Sequence, residues 1–356
     1  MIKSKINVLV LCGGPSNERE VSLKTGLQIA KALPKDKYQL TLAEIAKDGK
    51  WLLRDSASYL SGDSKNAGTA LIPSGHNPEL QVFDVAFVGM HGRFGEDGKV
   101  QALLEMIGIP YTGSGVLASA LGMNKMRTLE IVGKYGIKSP KFMTLRSMLA
   151  KKDRSAFQMK VARSVGYPCV VKPNESGSSI GISIVRKKEG LFTAIKKAFE
   201  EDNIVLIEQY IKGKEVTCAV MGNTGQTDLV ALPPIEIVPA GEFFDYDSKY
   251  FSQKTQEICP ARITKSQTAK LQALAKKVHG VIGCDGLSRS DFILTDKSKF
   301  YFLEINTIPG LTEASLAPKA AAAHGMPFPK FLDKQVQLAM AKKKVSDRIS
   351  PKTRFA

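Results

Sequence analysis

Cysteine, aromatic residues, acidic charge and long apolar runs are all scarce in this chain, and each shortage excludes something. The five cysteines (Cys12, Cys169, Cys218, Cys259 and Cys284) are odd in number and form no CxxC pair. That argues against a disulfide framework and against a zinc site. No apolar run approaches the ~18 residues needed to cross a bilayer, so no membrane partner is expected. The opening MIKSKINVLVLCGG imitates a signal peptide but lacks a small-x-small cleavage site and runs at once into the charged SNERE. A first buried strand is the better reading, and the chain reads as cytoplasmic. Internal repeats and long Pro- or Ser-rich linkers are also missing. What remains, at 43% hydrophobic and 24% charged residues, is the composition of a soluble globular protein. A chain of 356 residues exceeds one ordinary core, so two or three domains are expected.

Positive charge is in excess: 51 Lys and Arg against 34 Asp and Glu give a formal +17. Residues 134–163 hold nine basic residues against Asp153 alone, and residues 330–356 hold eight against Asp333 and Asp347. A nucleic-acid binder is one reading of such charge. No RRM, KH, zinc-finger or basic-zipper pattern accompanies it, and aromatics are only 7%. A basic surface face with a solvated tail is the reading adopted, with no nucleic-acid partner expected.

Along the chain, an apolar strand from Ile6 to Cys12 leads into the loop GGPSNERE and a helix-like VSLKTGLQIAKAL. A second strand, VFDVAFVGM (82–90), ends in HGRFGEDG and is followed by helix-like VQALLEMIG. Strand, Gly-rich loop and helix, repeated, indicate a parallel α/β layer with ligands at the carboxyl ends of its strands. From about residue 124 the pattern changes to short strands and glycine loops (PCVVKP, NESGSSIG, ISIVR, NIVLIEQYI) with one helix-like stretch, GLFTAIKKAFEED. A third region from Gly213 contains the strand EVTCAVMG, a long polar loop over 241–262 and helix-like TKSQTAKLQALAKKVHG. It closes with the strands SRSDFILTD and KFYFLEINT, then helix-like VQLAMAKKK and a basic tail.

The last two strands carry the clearest chemistry. Side chains two apart on a strand share a face. Phe292 and Leu294 then face one way, with Arg289 and Asp291 opposite. Tyr301, Leu303 and Ile305 form an apolar face, with Glu304 and Asn306 opposite. If the strands pair, Asp291, Glu304 and Asn306 form an all-oxygen cluster beside an arginine. Hard oxygen ligands in that number suit Mg²⁺ and, with it, a nucleotide phosphate. NESGSSIG, with Lys172 just before it, offers backbone N–H groups able to wrap phosphate oxygens, although alone it is also an ordinary flexible loop. A Walker A sequence is absent. The stretch from Gly113 to Ala118 matches the dinucleotide pattern GxGxxA, but no acidic residue follows about twenty positions on, so a nicotinamide cofactor is not expected.

GGPSNEREVSLKTG, MHGRFGEDGKVQALLEMIGIPYTGSGVLASALGMNK, VVKPNESGSSIGIS and EINTIPGLTEASLAP together resemble the D-alanine–D-alanine ligases, ATP-grasp enzymes of peptidoglycan synthesis. The resemblance spans roughly residues 6 to 330. It implies a three-domain α/β (α+β) ATP-grasp fold: a Rossmann-like substrate domain over 1–123, a central domain over 124–212 and a catalytic domain over 213–335. The last two would clamp ATP, and a basic tail would occupy 336–356. Carried over position by position, Lys125 and Lys172 would contact ATP phosphates under a loop bearing Ser178 and Ser179. Glu208 and Tyr210 would border adenine, and Glu215 would hold the ribose. Asp291, Glu304 and Asn306 would ligate two Mg²⁺ or Mn²⁺ ions. Arg289 and the N–H of Gly310 would stabilise the tetrahedral oxyanion.

The same resemblance implies that Glu18 grips the ammonium of the first D-alanine, with His91 nearby, and that Ser315 and Leu316 cradle the second. Lys249 and Tyr250 would sit on a lid, Tyr250 joining Ser178 and Glu18 in a hydrogen-bonded set. The family's D-lactate users carry phenylalanine where Tyr250 stands, which favours D-alanine over D-lactate as second substrate; a ligase joining D-alanine to D-lactate or D-serine is the alternative reading. A homodimer is implied as well. Two positions depart from the usual pattern. Asn17 replaces a small residue on the loop's solvent side, and Ser290 replaces an apolar one, which predicts looser packing beneath the metal-bearing strand.

Overall fold

The computed structural model describes residues 5–55, 69–71, 78–177, 180–225, 228–239 and 255–349. Its first sheet runs β4-β3-β2-β1-β5, from β1 (Ile6–Gly13), β2 (Tyr38–Ile45), β3 (Trp51–Asp55), β4 (Thr69–Leu71) and β5 (Val85–Val88). β1 lies at its centre and is buried from Val8 onward, which is why INVLVLCG reads as an unbroken apolar run. The parallel layer anticipated from the sequence covers only β2, β1 and β5; β3 and β4 extend it in antiparallel fashion. Helix α1 (Arg19–Ala32) packs on β1, and Gly26 makes that approach possible. A Cβ there would stand 2.6 Å from the Cβ of Cys12. Helix α2 (Lys99–Ile107) begins and ends on left-handed glycines, Gly98 and Gly108.

The second sheet is fully antiparallel, ordered β6-β9-β7-β8, from β6 (Phe142–Leu145), β7 (Cys169–Pro173), β8 (Ser183–Val185) and β9 (Val205–Gln209). The single helix anticipated between 124 and 212 is α6 (Leu191–Phe199), but α4 (Lys125–Lys134) and α5 (Arg154–Ser164) precede it there, and α3 (Val116–Met123) lies just ahead of that stretch. In α5 only Val161 is buried, so the helix leaves almost no apolar period in the sequence. Two of the three helices belong to another core, since Ala118, Met126, Leu129 and Val132 pack with the third sheet.

That third sheet is antiparallel, ordered β13-β12-β10-β14-β15 with β11 on β10. It comprises β10 (Lys214–Met221), β11 (Val230–Ala231), β12 (Ile235–Val238), β13 (Gln256–Ile258), β14 (Leu287–Leu294) and β15 (Phe300–Asn306). β13 lies in what the sequence suggests to be a plain polar loop. Helix α7 (Lys265–Ile282) covers the sheet; Thr264 and Gln267 close its N-terminus in a reciprocal capping box and Gly283 ends it in the left-handed region.

The chain continues through α8 (Leu316–Ala323) into α9 (Phe328–Ile349), and here the expectation of a solvated tail from 336 fails. Phe331, Leu332, Val336 and Ala339 are buried in the same cluster as Leu9, Leu11 and Phe87 of the first sheet. The basic residues of the helix mask an apolar face that the first sheet needs. Tyr38 donates to Asp333 at 2.6 Å, and Lys342 lies 4.8 Å above the Tyr111 ring, which fastens that docking.

Candidate active site

A cleft of about 670 Å³ opens between the second and third sheets, and loops of the first sheet close one end. β14 and β15 supply its floor. Their register sets Arg289 opposite Asn306 and Asp291 opposite Glu304, as the strand-face pattern requires. The apolar side differs from expectation. A bulge between Asp291 and Phe292 shifts the register to Phe292–Phe302, so Phe300, Phe302 and Ile305 are buried, while Tyr301 and Leu303 are only half-buried. Leu303 is the extra residue and turns to the cleft, so Glu304 and its neighbours re-aim there.

Arg289 donates to both oxygens of Asp291 at 2.9 Å, a bidentate pair with both side chains largely buried. Burial opposes the guanidinium charge, but Asp291 and then Glu304 outweigh it and raise the Arg289 pKa. Asn306 accepts from the N–H of Ile308 at 3.0 Å, which fixes its amide at the strand end. Ser290, on the opposite face, is buried with a hydroxyl that finds no partner among the described residues.

Two lysines enter from the other wall. Lys125, the first residue of α4, is buried and donates to the carbonyl of Ser176 at 2.6 Å; its Nζ lies 3.5 Å from Glu304. Burial pushes its pKa down, with Glu304 opposing and Lys172 adding to the fall. Lys172 on β7 pairs with Glu208 on β9 at 2.8 Å, both buried. Glu208 Oε1 has no hydrogen-bond partner among the described residues, an open acceptor in the cleft wall. The root of the glycine-rich loop is latched to α4: Asn174 accepts from the N–H of Met126 at 2.8 Å, and Asn124 donates to Glu175 at 2.5 Å. Tyr210 and Glu215 line the same wall.

At the closed end, Glu18 lies between Gly92 and Gly177. A Cβ on either glycine would stand 2.6 Å from Glu18 Oε2, so a side chain at either position would displace the Glu18 carboxylate. His91 is buried, 3.0 Å from Thr25 Oγ1 through Nε2 and 3.4 Å from Glu96 through Nδ1. Burial opposes its charge, but Glu96 and Glu18 raise its pKa overall. Gly310 approaches Ser315 so closely that a Cβ would stand 2.7 Å from Ser315 Oγ, and that hydroxyl pairs with Thr312 Oγ1 at 2.7 Å. Leu316 also lines the cleft.

Every expected site residue that falls among the described residues therefore lines one cavity. Ser178, Ser179, Lys249 and Tyr250, and with them the expected lid and its hydrogen-bonded set, lie outside the described residues. Glu96 and Thr217 were not legible. Glu96 sits in an irregular loop with no periodicity to mark it, and Thr217 meets Asp291 only through a pairing between distant strands. Among the described residues no three His, Cys, Asp or Glu side chains form a ready-made metal cluster. The donor set of Asp291, Glu304 and Asn306 is nonetheless all oxygen, which fits a hard divalent ion.

Residues 7–114 match the family described as D-ala D-ala ligase N-terminus, and residues 131–337 match D-ala D-ala ligase C-terminus. A D-alanine–D-alanine ligase of Pelotomaculum thermopropionicum is 40% identical over 336 residues, 94% of this chain and 97% of that protein. The crystal structure of the VanG D-Ala:D-Ser ligase from Enterococcus faecalis superposes with a TM-score of 0.81 at 32% identity, covering 94% of this chain and 100% of that one. The D-alanine–D-alanine ligase of Bacillus anthracis complexed with ATP gives a TM-score of 0.74 at 29% identity, over 96% and 99% of the two chains.

Proposed function

The chain belongs to the D-alanine–D-alanine ligase family, and from that premise we propose how its cleft joins two D-alanines at the expense of ATP. The product is the dipeptide used in peptidoglycan synthesis. The observation that carries the reading is the convergence of Asp291 and Glu304, in cross-strand register, with the buried Lys125 and Lys172 in one cavity.

A carboxylate is a poor acyl donor, so the first D-alanine attacks the γ-phosphorus of ATP, forming an acyl phosphate and releasing ADP. Lys125 and Lys172 offset the phosphate charge. Burial of Lys125 strengthens that effect, because the surroundings screen little. Glu208 Oε1, a buried acceptor without a partner, suits the exocyclic amine of adenine. Tyr210 borders the ring, and Glu215 takes the ribose hydroxyls. Asp291, Glu304 and Asn306 would hold two Mg²⁺ or Mn²⁺ ions, which supply further charge neutralisation at the phosphates when bound.

Glu18 orients the first substrate through its ammonium, and the His91–Glu96 pair braces that end of the cleft. The free amine of the second D-alanine, seated by Ser315 and Leu316, attacks the acyl carbon. Arg289 and the N–H of Gly310 hold the oxyanion, inorganic phosphate leaves, and the amine proton passes to solvent or phosphate. Ser178, Ser179, Lys249 and Tyr250 complete the assignment as loop and lid.

The division at 123/124 and 212/213, a homodimer and a cytoplasmic location belong to the same proposal. In support of the last, no helix among the described residues is long and apolar enough to cross a membrane. The test is incubation of the protein with ATP, Mg²⁺ and D-alanine, alone and with equimolar D-lactate or D-serine, with mass detection of the products and phosphate release followed in parallel. Phosphate release that does not depend on D-alanine, or a depsipeptide or D-alanyl-D-serine formed in preference, would overturn the reading.

A further inference from the structure

We propose that Thr217 is a positioning residue that decides which oxygen of Asp291 is offered to a metal ion. The inference rests on the reading of Asp291 as a ligand. Along β10, Val216, Cys218 and Val220 point into the core under α7, so Glu215 and Thr217 point to the cleft side. The register places Thr217 directly opposite Asp291, and Thr217 is 2% exposed. Its hydroxyl donates to Asp291 Oδ1 at 2.5 Å; the carbonyl of Ser290, at 3.2 Å, is the weaker claimant on the same proton.

Oδ1 also accepts from Arg289 Nε, whereas Oδ2 accepts from Arg289 Nη2 alone among the described residues. A carboxylate oxygen has about two lone-pair directions. Both are taken on Oδ1 and one stays open on Oδ2. Asp291 can therefore bind an ion only through Oδ2 and only with one oxygen, and Thr217 makes the two oxygens unequal. Without the hydroxyl, the Arg289 pair still holds the carboxylate plane, but a lone pair opens on the Oδ1 side too, so an ion can approach either oxygen and the ligand no longer offers one fixed position.

The experiment is equilibrium dialysis of the full chain against Mn²⁺ at fixed ADP, for the wild type, Thr217→Val, Thr217→Ala, Thr217→Ser and Asp291→Asn. Valine keeps the shape of threonine, and alanine serves if valine perturbs folding. Both are expected to raise half-saturating Mn²⁺ roughly tenfold, the lower end of what loss of an outer partner to a metal ligand does. ADP binding without metal should not change, and serine should restore Mn²⁺ binding to within about twofold of wild type because it keeps the hydroxyl. Wild-type Mn²⁺ binding in both the valine and alanine variants, while Asp291→Asn is weakened, would overturn the role of Thr217 and leave the ligand reading standing. Failure of serine to restore binding would trace the effect to volume and overturn it too. Normal binding by Asp291→Asn would remove Asp291 from the metal site and the proposal with it.

Discussion

Glu304 is the residue on which two kinds of charge converge. It is a third exposed, faces the cleft, and lies 3.5 Å from a buried lysine whose pKa burial already lowers. Glu304→Gln removes a ligand charge and also the first of the groups that oppose the fall in the Lys125 pKa, so both the metal-binding and the lysine side of the phosphate site are disturbed. We expect kcat to fall on the order of 100-fold with a raised requirement for Mg²⁺. Steady-state rates across a Mg²⁺ series check this, and wild-type turnover at saturating Mg²⁺ would take Glu304 out of the site. His279 tests the interior instead. It is fully buried, its Nδ1 lies 2.7 Å from Ser288 Oγ and its Nε2 3.2 Å from the carbonyl of Gly222, and burial lowers its pKa to about 4. The unfolded chain, with histidine near about 6.5, binds the proton more readily, so acid favours unfolding. The contribution is intact above about 6.5 and falls away as pH drops toward 4, about 3 kcal/mol in all. In His279→Gln, which can still accept from Ser288 and donate to Gly222, urea unfolding should show a much smaller acid loss. An equal loss in both proteins would contradict the assignment.

At the level of elements, what could be read ahead was what a strand or helix does alone. The all-buried run of β1 and the alternations of β14 and β15 are local signals, and the last two located Arg289, Asp291 and Glu304 before any pairing was known. What escaped depends on partners. The bulge opposite Asp291 turns Leu303 outward although Tyr301, Leu303 and Ile305 alternate faultlessly in sequence, because register is set by the neighbouring strand. Thr217 meets Asp291 across 74 positions, and no period can show that. The fourteen-odd site positions inherited from family motifs were legible through resemblance rather than physics; Glu18 in particular has no local mark beyond the glycines that crowd it. Helix α9 was misread because its lysines dominate its composition. It supplies a direct prediction: Phe331→Ala should cost about 3–5 kcal/mol in chemical denaturation, as for a large side chain lost from a packed core. Deleting residues 345–356, which follow Ala339, the last buried residue among the described ones, should leave both the melting temperature and dipeptide synthesis unchanged. Loss of activity in a folded truncation would show that this end reaches the site.

Across the whole molecule, the cleft is a place where charges already balance one another. Arg289 neutralises Asp291, Lys125 faces Glu304, and Lys172 holds Glu208. Removing divalent ions with EDTA should therefore abolish turnover and leave the unfolding transition where it was, with Mg²⁺ or Mn²⁺ restoring the rate. A large drop in melting temperature would mean that the carboxylates depend on metal for stability. The three sheets are likewise not three separate bodies in sequence, since α3 and α4 pack with the third sheet and α9 with the first. That last docking has a consequence for biosynthesis. Synthesis runs from N- to C-terminus, so β1 to β5 leave the ribosome long before Phe331 and Leu332 exist to cover them. At typical elongation speeds the delay is on the order of ten seconds or more. During that time the nascent first sheet carries an unsealed apolar face, and it is at this stage that trigger-type chaperones would find the chain and that a stalled ribosome would leave an aggregation-prone fragment.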